Sequence, residues 1–302
     1  MPQWGPFLAT IAVLTVLVLL LARASAAAIR DGEVIVGGQG SAEASYENAE
    51  QATDSGAQSR GRIEWEQRDR QYPNVSVGNG EQPDADSLPA SAIEEPPEQQ
   101  SPDAVDKPQV TTAMLLANVV ATQGLVVVSI VVAAWYFAIP VTAFGIASGP
   151  MSAGLLGVLV GLGFGIVLWI GNELSTTLAD AVGAAYDETV REMLAPETPA
   201  GWVVLLTVVL PLIALAEELL FRAALIGVPA AGYGIDPWLL AVVSSVAFAL
   251  GHGAQGRVGI VVTGALGFVL AGGYILTGSL LVVVVAHYVI NAMEFVVHEY
   301  YM

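Results

Sequence analysis

The sequence predicts an all-α, polytopic membrane helix bundle of about seven spans, with a long disordered acidic linker after the first helix. Three observations predict it. The 302 residues are 55% hydrophobic and 13% charged, with a mean hydropathy of +0.65, far from the balance of a soluble globular domain. The apolar residues fall in runs of about 20, the length that crosses a bilayer as a helix. Charge is segregated: residues 29–110 hold 17 acidic and 6 basic side chains, and residues 111–302 hold 11 and 3.

The first run covers residues 1–28. FLATIAVLTVLVLLL followed by ARASAAA could be a signal peptide with a small-residue cleavage site or an uncleaved anchor. No Lys or Arg precedes the apolar run, whereas Arg23 and Arg30 follow it. The positive-inside rule therefore favours an anchor with its N-terminus outside. Residues 29–110 are rich in Gln, Glu, Ser, Gly and Pro. Such a segment buries too little apolar surface to offset its ordering entropy, which predicts a disordered linker, either a solvated spacer or an acidic docking segment.

The membrane domain, 111–302, divides into apolar runs at 111–139, 151–179, 200–228, 237–254, 258–277 and 279–298. Gly154, Gly157, Gly161, Gly163 and Gly165 mark a face where another helix can approach closely. Seven spans that start outside put the linker and the 180–199 and 255–257 loops inside, with Lys107, Arg191 and Arg257; the remaining loops carry no Lys or Arg. The expectation is a multi-pass protein of the cell membrane. The sequon Asn74-Val75-Ser76 then lies inside and carries no glycan, and the mature N-terminus lies upstream of Arg23.

Several functions are excluded. A net charge of −18, with 10 Lys+Arg against 28 Asp+Glu, excludes nucleic acid as a partner. The absence of Cys excludes disulfides, thiolate zinc sites, iron–sulfur clusters and a Cys nucleophile. The single Lys, Lys107, and the acid-rich composition suit a high-salt cytoplasm.

Ionisable groups inside spans are costly and mark function. Here they concentrate in Glu217-Glu218-Leu219-Leu220-Phe221-Arg222, in Phe248-Ala249-Leu250-Gly251-His252, and in His287-Tyr288-Val289-Ile290-Asn291. On a helix Glu218 and Arg222 are i,i+4 and pair, while Glu217 lies about 100° away and stays available. Phe248 and His252 share a face, as do His287 and Asn291. At about 1.5 Å per residue the three groups reach one mid-membrane level, within about 10 Å of one another in depth. Other intramembrane protease patterns fail. His298-Glu299 begins an HExxH that is not completed, GIASG is one residue too long for GxSG, and GYGID misses GxGD by one residue at Asp236.

EELLFR, FALGH and HYVIN, in order and on separate apolar helices, resemble the EExxxR, FxxxH and HxxxN motifs of the CPBP family. That family comprises CAAX proteases and bacteriocin-processing (Abi) enzymes and includes the type II CaaX prenyl endopeptidases. The similarity covers roughly residues 140–300. It implies an intramembrane glutamic endopeptidase that needs no cofactor and acts on a membrane-associated, possibly CaaX-like, peptide or protein. Glu217 would be the general base and His252 would hold the water. His287 and Asn291 would bind the oxyanion, and Glu218 and Arg222 would orient and charge-balance the site. A carboxylate held in apolar surroundings is a stronger base than one in water, which suits this chemistry. Three alternatives stay open: a zinc protease using Glu217, His252 and His287; a proton or ion transporter using Glu217 and Glu218; and a non-catalytic immunity or scaffold protein of the same family. Besides the substrate, the partner expected is the lipid bilayer. The sequence carries no signal for an oligomeric state.

Overall fold

Apolar runs with few breakers fold as helices in lipid because only then is every backbone group satisfied within the segment. A computed structural model of the chain, which describes residues 1–30, 35–36, 109–181, 183 and 189–300, contains the expected helices. They are α1 Trp4–Arg30, α2 Thr112–Tyr136, α3 Leu155–Ala181, α4 Pro199–Tyr233, α5 Pro237–Gly251, α6 Gly256–Thr277 and α7 Leu280–Phe295, the last extended by the turn Val296–Tyr300.

The helix starts follow local chemistry. Thr111, Thr198, Asp236 and Ser279 each accept a hydrogen bond from a backbone N–H of the first turn they precede, satisfying donors the helix leaves orphaned. Asp236, the residue that misses the aspartyl pattern, is such a cap.

Of the seven apolar helices, six are long and apolar enough to cross a membrane, and the molecule is an integral multi-pass membrane protein. The exception is α5. Its 15 residues reach about 22 Å at 1.5 Å per residue. It stops because Gly251, Gly253 and Gly256 surround His252, and Gly256 takes φ +75°, a conformation glycine adopts without strain.

The glycines expected to pack do so in part. A Cβ on Gly161 would meet Val285 Cβ at 2.7 Å and Val282 O at 2.8 Å; one on Gly165 would meet Ala286 O at 2.7 Å. Gly161 and Gly165 therefore let α3 lie against α7, Gly157 chiefly admits the Met151 carbonyl, and Gly163 faces open space. Outward side chains such as Leu17, Leu125, Val128, Val167 and Leu178 are more than half exposed. That is the surface a bilayer covers and water would not.

α4 is one run of 35 residues, yet two stretches, Leu205–Val209 and Leu219–Gly227, are wound wide. Leu210 N–H bonds Leu205 O and Val228 N–H bonds Ala223 O, five residues back. A proline follows each stretch, Pro211 and Pro229. Proline lacks an N–H and crowds the carbonyl four residues earlier. The wide turn absorbs the crowding, so helical hydrogen bonding in α4 continues past both prolines.

A two-residue parallel bridge joins Ile35–Val36 to Gln109–Val110. Met1–Val36 and Gln109–Met302 form one compact unit. The acidic linker, and Asn74 within it, lies outside the described residues.

Candidate active site

Five of the six predicted site residues meet between α4, α5 and α7. Glu218 and Arg222 pair as their spacing demands, with Arg222 NH1 2.9 Å from Glu218 Oε1 and side chains 1% and 0% exposed. The guanidinium is held from two further sides. Its NH2 donates to Gly267 O of α6 at 3.0 Å, and its Cζ lies 4.4 Å from the centre of the Phe248 ring, a cation–π contact strengthened by desolvation. The Arg222–Glu218 contact is an ion pair without hydrogen-bond alignment, and among the described residues Glu218 Oε2, Arg222 Nε and Arg222 NH1 are buried with no hydrogen-bond partner.

His287 joins the pair across the helices: its Nδ1 lies 2.7 Å from Glu218 Oε1. A carboxylate only accepts, so this nitrogen carries the proton. On α5, His252 Nδ1 lies 2.9 Å from Phe248 O, and since a carbonyl also only accepts, Nδ1 is again the donor. Both imidazoles therefore turn Nε2 toward Glu217. Glu217 Oε2 stands 3.9 Å from His252 Nε2 and 3.7 Å from His287 Nε2.

Glu217 Oε2 and the two Nε2 atoms thus face one another. The gaps are too long for direct hydrogen bonds and suit a small molecule that donates to more than one of them. The site has a closed and an open side. Glu218, Arg222 and His287 are at most 6% exposed, whereas the Glu217 and His252 side chains are 17% and 26% exposed. Phe248 holds the parts in register, with His252 tilted against it at 4.5 Å and His287 edge-on at 6.0 Å.

Asn291, one turn beyond His287, is half-buried. It makes no hydrogen bond among the described residues, so the structure does not tie it to the other five. Gly267 and the His287–Glu218 link are not legible in the sequence, because both depend on which helices become neighbours.

A second polar cluster lies where α3, the short helix Thr189–Leu194 and the end of α7 meet. His298 Nε2 bonds Glu173 Oε1 at 2.7 Å, Asn172 Nδ2 donates to Glu294 Oε1 at 2.7 Å, and Arg191 donates to Glu299 at 2.9 Å and Glu294 at 3.3 Å. Glu173, Glu294 and His298 are the group among the described residues whose ligand atoms all lie within 4.8 Å of one another, the spacing a metal ion needs. Glu217, His252 and His287, the set the zinc alternative would use, are not such a group. In the second cluster Arg191 already neutralises Glu294.

Comparison with known proteins gives one match. Residues 199–293, the stretch that carries all the motifs, match the family described as Type II CAAX prenyl endopeptidase Rce1-like. No curated protein and no solved structure matches.

Proposed function

From the match of residues 199–293 to the Type II CAAX prenyl endopeptidase Rce1-like family, we propose that the chain is a CPBP-type protease and hydrolyses a peptide bond of a membrane-associated protein, with a water activated by Glu217 and His252. The observation that carries this reading is the Glu217 carboxylate, which makes no side-chain hydrogen bond among the described residues and faces two imidazole Nε2 atoms at 3.7 and 3.9 Å. Its neighbour Glu218 is occupied by Arg222 and His287.

A water in that gap donates one proton to Glu217 and the other to His252 Nε2, which aims its lone pairs at a carbonyl carbon presented from the open side. As the oxygen attacks, Glu217 takes the proton and later delivers it to the leaving amine, the two roles one general base can serve. His287, taking a proton from solvent at Nε2 and keeping it through the cycle, would donate a hydrogen bond to the oxyanion. Glu218, hydrogen-bonded to Nδ1, then stabilises the imidazolium as a carboxylate does in a catalytic triad. Asn291, with its amide free, is available as a second oxyanion donor. Arg222 holds Glu218 in place through their ion pair. The substrate is a membrane-linked peptide, with a CaaX-like tail as one candidate, and the reaction uses no cofactor.

Membrane proteomes of cells carrying wild type or Glu217→Gln test this. A precursor that accumulates only in the variant supports the reading. A purified Glu217→Gln protein that cleaves the identified precursor at the wild-type rate overturns it. Loss of wild-type cleavage on exhaustive chelation would overturn the cofactor-free mechanism in favour of a metal.

A further inference from the structure

The first helix lies outside the segment that matches the protease family, yet it is built into the same compact unit as residues 109–302. Its sequence already carries a stripe: Trp4, Phe7, Leu8, Ile11, Leu14, Thr15 and Val18 recur at three- and four-residue intervals, the spacing of one helix face. That face is covered by protein. Phe7 and Ile11 are 0% exposed and Thr15 is 7% exposed, while Val13, Val16, Leu17, Leu20 and Leu21 on the other faces are all more than half exposed. A helix that only tethers a protein to the bilayer would be apolar on every side and packed on none.

Both ends of the face are fastened. At the start, Gln3 N–H donates to Phe137 O at 2.9 Å. The Trp4 ring sits on Gly232 at the end of α4, where a Cβ would meet Trp4 Cδ2 at 2.7 Å. At the other end, Leu19 Cδ2 lies 3.5 Å from the Cβ position of Gly251, and α1 packs against both α5 and the 253–255 turn. These contacts fall immediately before and after His252. The histidine sits where α5 halts and a glycine-rich turn begins, a segment with little intrinsic stiffness of its own.

We propose that α1 remains in the bundle as a strut, and that Leu19 is a positioning residue that holds the His252 turn against Glu217. The placing of His252 in chemistry rests on the function proposed above; the strut itself does not. α1 supplies from outside the matched segment what the short α5 lacks, a wall behind its last turn. It follows that the mature chain keeps its first helix, because removing it would bare the surfaces that Phe7 and Ile11 cover and the contacts of Gly251 and Gly232.

Two measurements on the full-length protein test this without a known substrate. First, a protease site placed within residues 37–108 is cut after purification in detergent, with the tag at the C-terminus. The fragment bearing α1 should stay with the tagged remainder; a fragment that washes away overturns the proposal. Second, the chain has three histidines, so diethyl pyrocarbonate labelling can be read at each by mass spectrometry. Leu19→Ala should label His252 about fivefold faster by loosening its turn, with His287 unchanged. Leu19→Met should restore the wild-type rate, and Leu17→Ala, on the lipid face, should leave it unchanged. Equal His252 labelling in Leu19→Ala and wild type overturns the positioning role. If the labelling responds as expected while Glu217→Gln proves fully active, the catalytic reading fails and the strut stands.

Discussion

The bundle contains two clusters built from the same residue types, and they are not equivalent. Between α4, α5 and α7 stand two glutamates, one arginine and two histidines; at the far end of α7 stand three glutamates, one arginine, one histidine and Asn172. In the second, Glu294 has Asn172 and Arg191, Glu299 has Arg191, and Glu173 has His298. In the first, one glutamate takes both the arginine and a histidine at short range, whereas the other, Glu217, stands 3.7 and 3.9 Å from two imidazole nitrogens, beyond hydrogen-bond reach. Composition marks both as costly inside a membrane protein. Pairing separates them, because a carboxylate that already accepts from a cation is a poor base. The difference points to chemistry at Glu217 and to a structural clasp at Glu173, Glu294 and Glu299.

The sharpest way to break the contrast is to neutralise one glutamate in each cluster. Glu217→Gln should abolish precursor cleavage, a loss of at least about 10²–10⁴-fold if it removes a general base, while the protein inserts and melts as wild type does. Glu294→Gln should leave cleavage within a few-fold of wild type. Equal losses in the two variants would mean that both clusters are structural or both are chemical.

A second test concerns the closed side of the first cluster. Removing one partner of a buried ion pair leaves the other uncompensated, at about 3–5 kcal/mol. Arg222 and Glu218 are 1% and 0% exposed, so Arg222→Ala should lower folded yield sharply in a thermal melt of the detergent-solubilised protein. Glu218→Gln combined with Arg222→Met should recover much of that yield. Cleavage should not return with it, since Glu218 also holds His287 Nδ1. Stability of the single Arg222→Ala variant equal to wild type would show that the pair is not buried in the membrane.

How much of this the sequence carried depends on the range of the interaction. Spacing within one helix was readable: Glu218 with Arg222, and Phe248 with His252, are i,i+4 relations that the fold keeps. Depth was readable too, because span ends and a fixed rise brought Glu217, His252 and His287 to one level. Contacts between helices were not. Nothing in the residue order says that His287 reaches Glu218, that Gly267 receives Arg222, or that α1 stands beside Gly251. α5 was read as a span at 237–254, whereas its helix ends at Gly251 because the glycines around His252 turn the chain. The wide turns of α4 had a signal, Pro211 and Pro229, but a proline in an apolar run reads equally as a kink.

The packing of α3 on α7 beside the first cluster offers a smaller effect. Gly161 meets α7 just before His287, and a Cβ there would overlap Val285 and the Val282 carbonyl. Overpacking of this kind costs about 1–3 kcal/mol. Gly161→Ala should lower the melting temperature, and Gly163→Ala, which faces open space, should not. Both shifts are read in the same melt. An unchanged Gly161→Ala protein would mean that α3 and α7 separate readily.

The smallest effect is expected in the clasp itself. His298 bonds Glu173 at 2.7 Å, but the two side chains are 22% and 28% exposed, so water can take over each group when its partner is lost. A net loss of about 1 kcal/mol is expected for one such hydrogen bond, and His298→Ala should melt only slightly below wild type. Precursor cleavage should be unchanged, since no atom of His298 contacts the Glu217 cluster. This is the test most able to overturn the contrast from below. A His298→Ala protein that folds normally yet fails to cleave would make the end of α7 part of the reaction, and pairing would no longer be what separates the two clusters.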